Sequence, residues 1–81
     1  MEEARQRRAP RVRAEYLTEM RKKAGMTQAE VAEAMGVTQQ RVSAIESGST
    51  AELATLADYI HALGGELKVI ADFGGSWRRV A

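Results

Sequence analysis

Gln39 and Gln40, followed a turn later by Ser43 and Ala44, carry the side chains of this sequence best suited to reading another molecule. A glutamine amide donates and accepts at once, so it can pair bidentately with the N6 and N7 edge of adenine in a major groove. Serine can donate to a base or a phosphate, and an alanine can meet a thymine methyl. Upstream, Thr27 and Gln28 stand at a helix start, where exposed amides and the helix dipole favour a phosphate. There Gln28 can hold a phosphate and brace Gln40. Thr38 opens the next helix in the same way, and Arg41 is long enough for a phosphate or a flanking base. Arg11 and Arg13 end an arginine-rich terminus suited to tracking phosphates or entering a minor groove. The chemistry implied is recognition of double-stranded DNA.

Such residues act only if helices present them, and the local signals for those helices are strong. Tyr16, Leu17, Met20 and Ala24 recur near helical spacing, with Pro10 before them and Gly25 as a stop. For a second helix, Thr27 is the N-cap and Glu30 falls at N3, the pattern of a reciprocal capping box, while Met26 and Val31 form a hydrophobic staple. Val31, Ala32 and Met35 line one side, and Gly36 permits the tight turn that follows. Thr38 caps a third helix, Val37 and Val42 repeat the staple, and Val42 and Ile45 face inward. Small Ala32, opposite the turn, lets these two helices cross closely. Ser49 and Glu52 offer another capping box, although the fourth helix has room to begin a few residues later. Its core stripe is Leu53, Leu56, Ile60 and Leu63, and Gly64-Gly65 ends it.

The period then changes from helix to strand. Leu67, Val69, Ala71 and Phe73 alternate to one face, with Glu66, Lys68 and Asp72 on the other. A strand needs a neighbour, and no second segment reads convincingly as one. A hairpin through Gly74-Gly75 toward Trp77 and Val80 is marginal alone. The economical expectation is that the strand pairs with a copy of itself or with another protein, making Leu67, Val69, Ala71 and Phe73 the interface.

Composition narrows the remaining classes. The 81 residues suit one domain. Without cysteine there are neither disulfides nor zinc thiolates, and a lone His61 builds no metal cluster. No apolar run is long enough for a membrane span and no signal peptide is visible, so a cytoplasmic protein is expected. Residues 1–13 hold five arginines against two glutamates, whereas the other 68 residues hold seven basic and nine acidic side chains. General attraction to phosphate therefore concentrates in the arm. The serines lack a His/Asp arrangement, and Gly74-Gly75-Ser76 lacks the lysine of a phosphate loop. Glu46 and Glu52 read as helix-end and capping groups. An enzyme is not expected, and no cofactor is implied.

Residues 16–63 resemble the Cro/repressor class of helix-turn-helix proteins, the xenobiotic-response-element-like family. Thr27, Gln28, Val31, Ala32, Met35, Gly36, Val37, Val42, Ile45, Glu46 and Gly48 match its motif. Thr38-Gln39-Gln40 is similar to the recognition-helix opening of some phage repressors. The resemblance implies Gln28 on phosphate, Gln39, Gln40 and Ala44 at base-reading positions, and Ser43 and Arg41 beside them. The phage domains usually continue into a fifth helix, whereas this chain turns at Gly64-Gly65 into a strand. The stretch Tyr59 to Leu67 resembles the ending of antitoxins of the HigA kind, DNA-binding partners of ribosome-dependent mRNA-cleaving toxins.

The expected architecture is mainly α: a Cro/repressor-like domain of four main helices followed by a C-terminal strand that pairs across a dimer. Residues 1–13 form the basic arm, 14–64 the DNA-binding domain, and 65–81 the strand and tail. The function expected first is a transcriptional repressor, acting as a homodimer on an inverted-repeat operator. The alternative is an antitoxin that neutralises a partner toxin and autoregulates its operon.

Overall fold

The computed structural model describes residues 13–50 and 52–81. Four helices follow one another: α1 (Ala14–Lys23), α2 (Gln28–Met35), α3 (Gln39–Glu46) and α4 (Leu53–Ala62). Two short strands, β1 (Ile70–Asp72) and β2 (Trp77–Arg79), complete the chain. The four helices and terminal strand match the sequence-based expectation.

The α2–α3 unit forms where the local chemistry requires it. Thr27 Oγ1 accepts from the Glu30 amide at 3.1 Å while the Glu30 carboxylate accepts from the Thr27 amide at 2.8 Å, so the capping box is complete. Thr38 Oγ1 accepts from the Arg41 amide at 3.1 Å and caps α3 likewise. Between them Gly36 turns left-handed, at φ 73°. That lets the Val37 amide reach back to the Ala32 carbonyl at 3.0 Å and close the helix end.

Packing follows the stripes only in part. Leu17, Val31, Ala32, Val42, Ile45, Leu56 and Tyr59 form the buried core. Met26, Met35, Ile60, Ala62, Leu63 and Leu67 pack around it. Buried Ala32 leaves α2 and α3 free to approach, as its size suggests. Three expected core positions lie toward solvent instead: Tyr16, Met20 and Leu53. The face of α4 that turns inward is centred on Leu56 and Tyr59, because the Tyr59 hydroxyl has buried partners described below. The fourth helix also starts late. Its N-cap is Glu52, without a side-chain cap, so Ser49 forms no capping box with it.

The C-terminal strand has a neighbour within the chain. Ile70 faces Arg79, Ala71 faces Arg78, and Asp72 faces Trp77 in an antiparallel hairpin turned at Gly74-Gly75. Gly74 supplies the positive φ of the turn, and Asp72 Oδ1 accepts from its amide at 2.9 Å. This is the turn-back through Gly74-Gly75 that the sequence marked as marginal, since Trp77-Arg78-Arg79 does not alternate in hydropathy. Leu67, Val69 and Ala71 are half-buried, while Phe73 is 77% exposed. No helix among the described residues is long and apolar enough to cross a membrane.

Thr27→Ala removes one half of the capping box and leaves a helix-start amide without its partner. The expected loss is about 1 kcal/mol of stability, read from the shift in denaturation midpoint at unchanged slope.

Candidate nucleic-acid interface

The expected base-reading residues lie together on the first turns of α3. Gln39, Gln40 and Ser43 are exposed, and Ala44 is half-buried beside them. Thr38 and Arg41 flank them, also exposed. Thr27 and Gln28 stand at the start of α2, the helix packed against α3. Both helix starts therefore open on a surface with polar side chains and unpaired backbone amides, a geometry that accepts phosphate on one helix and base edges on the other. Arg13 is the N-cap of α1, with its guanidinium 5.6 Å from the centroid of the Tyr16 ring. Arg11 and the rest of the arm through residue 12 lie outside the described residues.

What holds this surface is a buried ionic cluster at the far end of α3. Glu46, its last residue, accepts five hydrogen bonds. Oε2 receives Arg21 Nε and the Tyr59 hydroxyl, each at 2.6 Å. Oε1 receives Gln28 Nε2 at 3.0 Å, Thr18 Oγ1 at 3.1 Å and Arg21 Nη2 at 3.2 Å. Arg21 thus grips the carboxylate with two nitrogens, and its third donates to the Met26 carbonyl at 3.0 Å in the α1–α2 connection. The Tyr59 hydroxyl also lies 3.0 Å from the Leu17 carbonyl. Every helix contributes: Thr18 and Arg21 from α1, Gln28 from α2, Glu46 from α3 and Tyr59 from α4.

The electrostatics agree with that geometry. Burial alone pushes the Glu46 carboxyl up, but hydrogen bonds from Arg21, Tyr59 and Gln28, with the Arg21 charge, outweigh it and hold the pKa at about 2. Burial, and then the adjacent Glu46 carboxylate, push the Tyr59 phenol above its ordinary value, so it stays a donor. The Arg21 pKa is raised chiefly by its hydrogen bond to Glu46.

The cluster reassigns two residues. Gln28 gives an amide proton to Glu46 rather than bracing Gln40, which leaves its second amide proton directed elsewhere. Glu46, read from sequence as a helix-end group, is the anchor of the assembly. No periodicity signal marks it, because a buried charge is visible only once its partners from other helices converge. The family motif that includes Glu46 was the available clue.

The chain matches the helix-turn-helix family over residues 17–70. The chain belongs to that family. Among its relatives is the HigA3 protein of Mycobacterium tuberculosis (strain ATCC 25618 / H37Rv), 50% identical over 74 residues. That match spans 88% of this chain and 68% of the relative. HigA2 of the same organism is 43% identical over 65 residues, 78% of this chain and 64% of the relative. A solved structure described as DNA bound antitoxin HigA3 superposes with a TM-score of 0.74 at 45% identity, over 90% of this chain and 91% of that one. A second, described as induced DNA bending by unique dimerization of HigA antitoxin, superposes with a TM-score of 0.73 at 47% identity. It is matched over 88% of this chain and 97% of its own. The matched residues contain the whole helix-turn-helix unit and the Glu46 cluster. Among the described residues, no group of three or more His, Asp or Glu side chains is placed to hold a metal ion.

Glu46 binds its proton more weakly in the folded state than in the unfolded one, where 4.5 is its ordinary value. Its contribution is therefore complete above about pH 4.5 and is lost as pH falls toward about 2. The unfolding free energy measured across that window should decline by an amount on the order of a few kcal/mol. Glu46→Gln should be less stable at neutral pH and should flatten the decline.

Proposed function

We propose that this chain is a DNA-binding antitoxin of the HigA kind. It binds the operator of its own operon as a homodimer and neutralises a partner toxin by protein–protein contact. The reading is carried by the exposed Gln39-Gln40-Ser43 face on a braced α3, in a chain that superposes on a DNA bound antitoxin HigA3. The relatives named above are HigA proteins, which supports the antitoxin over the stand-alone repressor expected first. The function is binding, not catalysis, and needs no cofactor.

The division of labour follows the chain. In residues 14–64, Gln39, Gln40, Ser43 and Ala44 read base edges, while Thr27, Gln28, Thr38 and Arg41 hold phosphates on either side. Gln28 reaches phosphate with the amide proton that Glu46 leaves free. Residues 1–13 follow the duplex with Arg11 and Arg13. Residues 65–81 join two copies through the hairpin, a role supported by the solved relative described by its dimerization. Two recognition helices then meet successive major grooves about 34 Å apart, and the operator is an inverted repeat at one-turn spacing.

Co-expression with the toxin encoded beside it tests the antitoxin role: growth should be restored by this chain and not by an unrelated helix-turn-helix protein. Footprinting on the operon's own promoter tests the operator, with two symmetric protected half-sites expected.

Two changes separate base reading from phosphate attraction. Gln40→Ala should leave folding intact and cost about 1–3 kcal/mol of discrimination between operator and random DNA, measured by competition binding. Removing residues 1–13 should weaken binding to both DNAs and lower the slope of log affinity against log salt.

A further inference from the structure

Glu46 presents an acceptor-only group to Gln28, and that decides which way the glutamine amide faces. A carboxylate donates nothing, so the Gln28 atom 3.0 Å from Oε1 is the amide nitrogen, and the amide oxygen is turned away. The carboxylate itself swings about a broad terminal torsion when nothing holds it. Here it is held from the other side. Arg21 Nε and the Tyr59 hydroxyl both donate to Oε2 at 2.6 Å, which keeps Oε1 directed at α2. Tyr59 is wholly buried and its hydroxyl also lies 3.0 Å from the Leu17 carbonyl, so that donor has one setting. Gln28 is the first residue of α2 and only half-buried. Left to itself, such a side chain spreads over several rotamers, and binding has to order it.

We infer that Tyr59 is a positioning residue for DNA contact: acting through Glu46, it fixes the Gln28 amide with one N–H toward the cluster and the other outward before DNA arrives. This rests on the phosphate role given to Gln28 above and names what prepares the side chain for it. The path is two hydrogen bonds long, from the Tyr59 hydroxyl to Glu46 Oε2 and from Glu46 Oε1 to Gln28 Nε2. Being fully buried on α4, Tyr59 has no surface with which to touch DNA itself. Among the donors to Glu46 it is the one whose part can be isolated. Arg21 also holds the α1–α2 connection through the Met26 carbonyl, so its loss disturbs the backbone. Thr18 shares Oε1 with Gln28 and does nothing to hold Oε2. The Tyr59 hydroxyl can be removed with its ring left in the core. Binding gains because a glutamine already ordered loses less freedom when it meets a phosphate.

Two mutant cycles on the full chain test this, with affinity for the operon's own promoter fragment measured at a temperature where circular dichroism shows every variant folded. Gln28→Ala should weaken binding roughly three- to tenfold. Tyr59→Phe should weaken it within the same range, and the double variant should bind no more weakly than Gln28→Ala alone. Glu46→Gln keeps the shape of the side chain and loses its acceptor-only character, so it should merge with Gln28→Ala in the same way. Ethylation interference gives a second readout. The phosphate whose ethylation ceases to matter in Gln28→Ala should cease to matter in Tyr59→Phe as well. If the losses multiply in the double variants, Tyr59 serves the core alone, and the inference is overturned while the phosphate role of Gln28 stands. A Tyr59→Phe chain that binds as tightly as the wild type overturns it likewise. If Gln28→Ala itself binds as tightly as the wild type, the phosphate role fails and the inference goes with it.

Discussion

The Glu46 carboxylate is the constraint on which this molecule is built. A charged group taken out of water is costly unless its attraction to a partner and its remaining lone pairs are satisfied. Here satisfaction requires Arg21, Thr18, Gln28 and Tyr59 at once, from three other helices. No pair of helices can dock and leave the others loose without stranding that charge. Helix packing in so small a core is thereby made cooperative, and α3 is fixed at the end opposite its exposed Gln39-Gln40 turn. Gln28, at the start of α2, ties that helix into the cluster.

The sequence made the α2–α3 unit legible because its determinants are local. Caps at Thr27 and Thr38, staples around them and the glycine at position 36 act within a turn or two, and each formed as the residue types required. The exposed set on α3 was legible for the same reason: position on a helix decides exposure once the buried face is known. The cluster was not, because the partners of Glu46 stand up to 28 residues from it in the chain and no pattern within a window joins them. Tyr59 illustrates the limit. It sits beside the apolar stripe of α4 and is drawn fully into the core by hydrogen bonds, while Leu53 on that stripe is left exposed.

The tail divides along similar lines. Alternation put Leu67, Val69, Ala71 and Phe73 on one face; in the single chain the first three are half-buried and Phe73, next to the Gly74 turn, is exposed. The second strand was underrated as a marginal turn-back because Trp77, Arg78 and Arg79 are all exposed and so carry no burial pattern to detect. Its existence depends on the turn chemistry of Asp72 and Gly74 more than on hydropathy.

A hairpin of three-residue strands has a further consequence for how the protein persists. Its fold in a solitary chain rests on few backbone bonds, so local opening of the tail lies at the low end of the free-energy scale. In the proposed homodimer, joining a second copy at the tail would close that opening by mass action. The order of the C-terminus would then depend on how many copies are present, and dilution would loosen the tail before the helical body.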